Sequence, residues 1–425
     1  MKKKKAPLGR RMKEFVKTSV VWGPLDHNLF FTIIFLNVYG IIMVYSASYN
    51  NSITKNYSYF MNNQLKNVIF GFVIMIVASY VNYHRIVRLG WGWFWLLAAV
   101  AIIAALKTPL AHSELGATRW IKLGPVSFQA AEPIKAAIII FFAYYVSYWG
   151  LNRWYNQLLA CLLAIALLGF LFFFSNNLST VIVLFCICAV IILSSVKKPD
   201  LYLYFLLGLA LIIIAAIFVT VYLLMHQGAE NFRFVRIRAW LHPEEYAADE
   251  GLQAMQARYA IGAGGFWGKG LGQSLIKFKL SYSYNDFILA IICEELGVFG
   301  VIVMMTLFGY LLYRIYKIAQ NAWDIEGKVL AIGVFTQIAL QLLINVMVVT
   351  SVIPTTGVTL PFFSAGGTSV VFLLAELGMV LNVDKYAKER RFFEEAERHV
   401  AQMEQRGGIG VAGWRRRLDS ARTRR

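Results

Sequence analysis

The sequence predicts an all-α, polytopic membrane protein with about ten transmembrane helices, and three observations support this fold class. Apolar residues make up 59% of the 425 residues and charged residues only 15%, a balance outside the range of soluble domains. Apolar runs long enough to cross about 30 Å of hydrocarbon recur along the chain. The basic residues, which give a formal net charge of +18, gather in the tails and alternate loops, as membrane insertion requires. We therefore expect no nucleic-acid partner.

The apolar runs define the predicted elements in order. Backbone amides cannot stay unpaired in lipid, and the runs are too continuous for barrel strands, so each run is expected to form a helix. The predicted spans are 27–48, 64–82, 89–107, 131–149, 155–174, 178–195, 201–225, 286–314, 328–351 and 366–384.

The loop charges predict the orientation. Every second connection carries Arg or Lys, and so do both tails, 1–26 and 385–425. The positive-inside rule then places both termini in the cytoplasm, on either side of a membrane domain at 27–384. The N-terminus lacks a short apolar core followed by a small-residue cleavage site, so the first span is expected to stay in the mature protein. The long loop between helices 7 and 8, residues 226–285, is expected outside and to carry short helices.

No metal or cofactor site is evident in the sequence. The four cysteines lie within apolar runs without zinc-ligand spacing, and the six histidines are scattered. No acidic cluster forms an obvious metal cage, although a requirement for a divalent cation stays open. The glycine-rich segment 261–274 fails the pattern of a nucleotide-binding loop, because Ala263 and Gly270 stand where glycine and Ser or Thr are needed. Its glycines are expected to let the backbone approach a helix closely.

Asp286 is the first candidate functional residue. It lies at the predicted outer mouth of its helix, where an Asp is a preferred N-cap. The functional alternative is a general base next to the headgroup layer. Glu294 and Glu295 lie about 12–13 Å deeper along the helix. We therefore expect these two acids to hold a neighbouring helix or an unwound backbone.

Two charged residues open another helix. Glu132 and Lys135 are three residues apart, on one helix face, so that each offsets the charge of the other. This pattern is typical of a structural ion pair, but a lysine just inside the outer leaflet is also a natural partner for phosphate. Arg119 stands beside Trp120 in the preceding loop, where interfacial anchoring is the plainer interpretation.

Four motifs resemble those of the SEDS family (shape, elongation, division, sporulation), which includes FtsW, RodA and SpoVE. They are GLQAMQARYAIGAGGFWGKGLGQS from Gly251, NDFILAIICEELGVFG from Asn285, TTGVTLPFFSAGGTS from Thr355 and FQAAEPIK from Phe128. The VYSAS stretch at Val44 and the EELG form are more similar to FtsW than to RodA.

The resemblance implies a peptidoglycan glycosyltransferase of the bacterial cell membrane. Such an enzyme polymerises lipid II onto a nascent glycan strand at the extracytoplasmic face, together with a class B penicillin-binding transpeptidase and other divisome or elongasome proteins. The resemblance also matches Asp286 to the essential aspartate of the family. The matched motifs place Glu132, Lys135, Gln253, Ser364 and Thr368 at the substrate-binding site. The chemistry of the reaction adds cations that can stabilise charge on the departing pyrophosphate, namely Arg119, Lys135 and Lys269, with Arg236 or Arg238.

The chain departs from the family pattern at several positions, and other functions stay open. Residues 281–284 read Ser-Tyr-Ser-Tyr where the family has Pro-Glu-x-His, and Ala130 and Ala131 replace Pro-Ser. Within the family, elongation or sporulation is the alternative to septal division. Outside it, a lipid II flippase would depend more on Glu132 and Lys135 than on Asp286, whereas a non-enzymatic scaffold for a transpeptidase would not need Asp286.

Overall fold

The computed structural model of the protein is mostly helical. It describes residues 21, 23–48, 59–114, 117–123, 126–175, 177–196, 232–245, 250–278, 285–364 and 367–405. The helices are α1 His27–Ser48, α2 Tyr59–Tyr80, α3 Tyr83–Val87, α4 Trp93–Ala105, α5 Ala131–Trp149, α6 Trp154–Ser175, α7 Leu178–Ser195, α8 Phe232–Leu241, α9 Glu250–Gly264, α10 Ile288–Gln320, α11 Ile325–Val349 and α12 Thr368–Gln405. The strands are β1 Ala111–Glu114, β2 Ala117–Leu123 and β3 Val126–Gln129.

Each predicted span that the structure describes contains a helix, although several helices begin or end some residues from the predicted bounds. Six of the helices are long and apolar enough to cross a membrane, as judged by length and composition, so the chain is a multi-pass membrane protein. Helix α4 has 13 residues and is shorter than its predicted span, because a 3-10 turn occupies Leu89–Gly92. The predicted span 201–225, most of the predicted tail 1–26 and residues 406–425 of the predicted C-terminal tail lie outside the described residues. The total of ten helices and the orientation remain predictions.

The prediction of an all-α chain is wrong in one segment. Strands β1, β2 and β3 form a small antiparallel sheet in that order, with Trp120 of β2 opposite both His112 and Gln129. The mixed polar and aromatic residues of this segment lack the single apolar stripe that a helix would need, and its β-branched and aromatic residues suit a strand. The sheet leads directly into α5, whose first residue is Ala131.

Helix α5 forms the centre of the helical domain. Nearly all of its residues from Ile134 to Val146 are buried, and it packs against α4, α7 and α11. Helices α2 and α12 pack closely: a Cβ on Gly378 would lie 2.5 Å from the carbonyl oxygen of Met75. Small residues at such a crossing let two backbones approach, which membrane helices use in place of a hydrophobic driving force.

The predicted outer loop 226–285 carries short helices, as expected. In its described parts these are α8 and α9, and α9 packs against α10. At the other end of the chain, the predicted span 366–384 and the predicted surface helix after it form one continuous helix, α12. Most of its residues beyond Glu389 are exposed, which fits a polar extension of a membrane helix.

Helix α10 is interrupted by the glycine-rich segment that follows α9. Gly297 has φ +64 and ψ −163, a conformation almost confined to glycine, and the helix kinks there. The carbonyls of Glu294 and Glu295 accept hydrogen bonds from Lys269 N and Gly270 N, each at 2.9 Å. A Cβ on Gly268 would lie 2.2 Å from the oxygen of Glu295. The expectation that these glycines permit close backbone approach is thus confirmed, and the approaching backbone satisfies groups that the kink frees.

Candidate functional site

Asp286 lies in a turn at the start of α10. The helix begins at Ile288, and its N-cap residue is Phe287, which makes no capping hydrogen bond through its side chain. The N-cap interpretation of Asp286 is therefore wrong, because Asp286 lies one residue too early in the turn. Its side chain is partly exposed, whereas residues Phe287 to Ile292 are buried. The turn thus holds a carboxylate at the boundary of the helical core.

Two polar side chains fix the backbone of this turn. Asn345 of α11 donates from Nδ2 to the carbonyl oxygen of Asp286 at 2.8 Å and to that of Val358 at 2.9 Å. Ser364 Oγ donates to the carbonyl oxygen of Asn285 at 2.8 Å and accepts from Leu360 N at 2.7 Å. Both side chains are buried, so these hydrogen bonds are shielded from water. The position of Asp286 is consequently set by α11 and by the irregular segment 352–364.

That irregular segment forms part of a small cavity. Its lining includes Glu132 of α5, Gln341 of α11, Ser364, and Ser369 of α12. Glu132 and Lys135 are both buried and form the expected ion pair, with 2.9 Å between Oε1 and Nζ. The structure thus brings Glu132 to the segment that positions Asp286. Irregular backbone is tolerated within a membrane protein where it packs in protein or lines a cavity, and this segment does so.

Lys269 lies apart from this cavity. Its Nζ is 2.8 Å from Glu294 Oε1, and 32% of its side chain is exposed. Glu294 also accepts hydrogen bonds from Ser274 Oγ and from the backbone N–H groups of Leu275 and Ile276. Lys269 therefore already compensates a buried carboxylate, and its role as a phosphate ligand stays a prediction.

Glu295 also contacts the backbone segment that follows Lys269. Its Oε1 lies 3.6 Å from Lys277 Nζ and accepts from Ser274 N at 3.3 Å, and Ser46 of α1 donates to its Oε2 at 2.5 Å. Both adjacent acids are thus used to attach an unwound backbone to α10. The expectation of a structural role for Glu294 and Glu295 is confirmed.

Helix α8 carries two of the predicted cationic residues. Trp240 Nε1 donates to the carbonyl oxygen of Ser351 at 2.9 Å, which attaches α8 to the end of α11 that also carries Asn345. Arg236 lines a small cavity with Trp240 and Ser351, and Arg238 is partly buried. These two arginines therefore lie toward the same end of the helical domain as Asp286.

The remaining predicted residues are placed less fully. Gln253 lies in α9 and is partly buried, and Thr368 is the first residue of α12. Arg119 lies in β2, but its side chain is outside the described part of the structure, as are residues 281–284. Sequence reasoning missed Asn345, for which the available signal was a polar residue within a long apolar run.

The fold and this site define a multi-pass membrane protein with a partly exposed carboxylate fixed at one end of its helical domain. A family model described as cell cycle protein, covering FtsW, RodA and SpoVE, matches residues 26–389. The chain belongs to this family.

Curated relatives and solved structures agree with the family assignment. The probable peptidoglycan glycosyltransferase FtsW of Bacillus subtilis (strain 168) is 32% identical over 374 residues, which cover 85% of this chain and 91% of that protein. Stage V sporulation protein E of the same strain is 33% identical over 372 residues, covering 84% and 96%.

Two solved structures share the fold at lower identity. One of them is described as structural coordination of polymerization and crosslinking by a peptidoglycan synthase complex. A chain of that structure gives a TM-score of 0.71 and 22% identity, covering 86% of this chain and 99% of that one. The rod shape determining protein RodA of Thermus thermophilus gives a TM-score of 0.61 and 22% identity, covering 85% and 97%.

Proposed function

We propose that this protein is a peptidoglycan glycosyltransferase that polymerises lipid II for cell division. The observation that carries the proposal is the turn of Asp286, whose backbone is fixed by Asn345 and Ser364 while Asp286 itself is partly exposed. A general base needs such a fixed position within reach of the proton it removes. The names of the curated relatives support the reaction class.

In the proposed reaction, Asp286 removes the proton of the acceptor sugar's 4-hydroxyl. The hydroxyl oxygen then forms a bond to the anomeric carbon of the lipid-linked donor. The bond from that carbon to the pyrophosphate oxygen breaks, and undecaprenyl pyrophosphate leaves with the bonding electron pair. Cations at the site stabilise the charge that develops on the leaving pyrophosphate. For this role we propose Arg236 and Arg238 of α8, with Arg119, Lys135 and Lys269, while Glu132, Gln253, Ser364 and Thr368 complete the substrate site.

The proposed setting is the outer face of the cell membrane at the division septum. The first relatives found by comparison are FtsW proteins, which favours division over elongation, although a sporulation protein is equally similar. A solved relative belongs to a complex that couples polymerization with crosslinking. We accordingly propose a class B penicillin-binding transpeptidase as the partner, alongside other divisome proteins.

The experiment is polymerisation of lipid II by the purified protein with its transpeptidase partner, comparing the parent with Asp286→Asn. The substitution keeps the size of the side chain and leaves the backbone hydrogen bond from Asn345 in place. We expect glycan chain formation to fall at least about 100-fold, the typical contribution of a general base. Glu245→Gln is the matched control, because Glu245 is an exposed acid of the same predicted loop.

Each other outcome has a defined meaning. Equal polymerisation by parent and Asp286→Asn would show that Asp286 is not the base. A well-folded parent that binds its partner but makes no glycan would contradict the enzyme proposal. In that case a flippase assay with Glu132→Gln would test the transport alternative, and partner recruitment alone would favour a scaffold.

A further inference from the structure

Three side chains converge at the end of α11 opposite to the Asp286 turn. His84 of α3, Asp324 before α11 and Glu326 in its first turn each offer one ligand atom, and these atoms lie within 4.8 Å of one another. Glu326 and Asn345 are 19 residues apart on one helix, a distance of roughly 28 Å at 1.5 Å per residue. This cluster is therefore separate from the candidate site, and the proposed reaction does not use it.

The hydrogen bonds of His84 fix which ring nitrogen faces the cluster. The backbone N–H of His84 donates to Asn82 Oδ1 at 3.0 Å, so this atom of Asn82 is an oxygen. His84 Nδ1 lies 2.8 Å from the same oxygen and must carry the proton of that contact. In the neutral ring, Nε2 then presents a lone pair to the cluster. Metal-binding histidines use the same arrangement, with the other ring N–H donated to an oxygen.

Both carboxylates are oriented in the same way, through their outer oxygens. Asp324 Oδ1 accepts from Tyr83 OH and from Gly327 N, each at 2.8 Å. Glu326 Oε1 accepts from Arg88 Nε at 2.9 Å and from Ser147 Oγ at 3.0 Å. In each residue the second oxygen is left facing His84 Nε2. Asp324 Oδ2 is in direct contact with that nitrogen, and Glu326 Oε2 lies 3.8 Å from it.

The inner oxygen of Glu326 provides an independent indication of a missing partner. Only 3% of its side chain is exposed, and Oε2 is a buried atom without a hydrogen-bond partner among the described residues. A buried acceptor left unsatisfied costs about 1–3 kcal/mol, and more when it is charged. Because Nε2 and two carboxylate oxygens are all acceptors in the neutral-ring form, only a cation between them can satisfy all three.

We propose that His84 Nε2, Asp324 Oδ2 and Glu326 Oε2 bind one divalent transition-metal ion of the Zn²⁺ class. One imidazole with two carboxylates is a donor set that suits such ions. Ligands at about 2.0–2.2 Å from one tetrahedral zinc ion lie roughly 3.4 Å apart. Binding therefore requires the widest pair of these atoms to close by up to about 1.4 Å, and the contact between His84 Nε2 and Asp324 Oδ2 to open by about 1 Å. The site joins α3 to α11 on the face that the basic loops predict to be cytoplasmic. In the alternative, no metal binds and Nε2 carries a proton.

The test uses the full-length protein, purified in detergent without a histidine tag and stripped with a chelator. Zn²⁺ is titrated against a chromophoric competitor at pH 7. We expect one equivalent to bind to the parent and to raise its unfolding temperature reversibly, because the ion binds the folded state. His84→Asn and Glu326→Gln should each weaken this binding at least tenfold. The matched control is His242→Asn, since His242 is exposed and outside the cluster.

A second measurement decides the proposal even if the variants do not fold. Nitrogen NMR of ¹⁵N-histidine-labelled parent distinguishes a metal-bound Nε2 from a protonated one. We expect the Nε2 resonance of His84 to take the metal-bound shift at one equivalent of Zn²⁺. A protonated Nε2 at saturating Zn²⁺, or equal binding by the parent and well-folded His84→Asn protein, would overturn the proposal and leave a histidine–carboxylate ion pair.

Discussion

Asn345 is the residue through which α11 controls the position of Asp286. Asn345→Leu keeps a similar volume but removes the hydrogen bonds that Nδ2 donates to the carbonyls of Asp286 and Val358. Each lost hydrogen bond costs about 0.5–1.5 kcal/mol, and α11 no longer holds the turn. We expect lipid II polymerisation to fall at least about tenfold, since misplacement by about 1 Å can cost more than that. The measurement is the rate of chain formation at matched amounts of folded protein.

The control for this variant is Asn37→Leu. Asn37 is also a buried asparagine within a predicted span, but its Nδ2 donates to Ile33 O of its own helix at 2.8 Å. We expect it to lower the free energy of unfolding without a specific loss of rate. If both variants lose activity only in proportion to their folded fraction, Asn345 does not position the catalytic turn.

The candidate residues divide according to what sequence can reveal. Asp286, Glu132 and Lys135 were predictable because charges are costly within apolar runs and therefore conspicuous. The roles of Ser364 and Asn345 were not, because their partners lie 79 and 59 residues away along the chain. Only the folded chain shows that both hydrogen bonds converge on a single turn.

At the scale of elements, the kink in α10 depends on one glycine. Gly297→Ala places a Cβ 2.4 Å from Gly268 N and forces a side chain into a positive-φ conformation. Strain of this kind costs about 1–3 kcal/mol, and the overlap with the backbone adds to it. We expect a clear loss of unfolding free energy, measured by denaturation in mixed micelles, together with release of the segment that Glu294 and Glu295 hold.

The same helix provides the matched control, Gly309→Ala. A Cβ at Gly309 meets nothing within 4 Å, and replacing glycine by alanine within a helix is worth about 0.5–1 kcal/mol of stability. We expect this variant to be neutral or slightly stabilised. Equal destabilisation by the two substitutions would mean that helix flexibility, and not the fit of the glycine-rich segment, determines the stability of α10.

Helices were easier to predict than the sheet because each type of element leaves a different signal. A membrane helix needs about 20 apolar residues, which a reader of the sequence finds directly. Strand β2, Ala117–Leu123, is seven residues long and mixes Arg119 and Lys122 with aromatic and aliphatic residues. Its pairing with β1 and β3 is a non-local property. The local indication of a hairpin was the pair Gly124-Pro125, two residue types that favour turns.

For the whole molecule, α11 connects two polar regions for which we propose different functions. Its C-terminal end carries Asn345 and contacts α8, while its N-terminal end carries Glu326 beside His84. His84 and Asp324 are 240 residues apart in the sequence, so no spacing rule for metal ligands could have found them. Because α11 is long and apolar enough to span the bilayer, the two regions lie on opposite sides of it.

Labelling with a membrane-impermeant maleimide tests this orientation. With the four native cysteines changed to alanine, single cysteines are introduced as Glu245→Cys and Arg153→Cys, both at exposed positions outside the predicted spans. Because basic loops stay inside, we expect the cysteine at position 245 to react in intact spheroplasts. The cysteine at position 153 should react only after permeabilisation. The reverse pattern would place Asp286 in the cytoplasm, away from the face where glycan strands are assembled, and would contradict the proposed polymerase even if the fold is right.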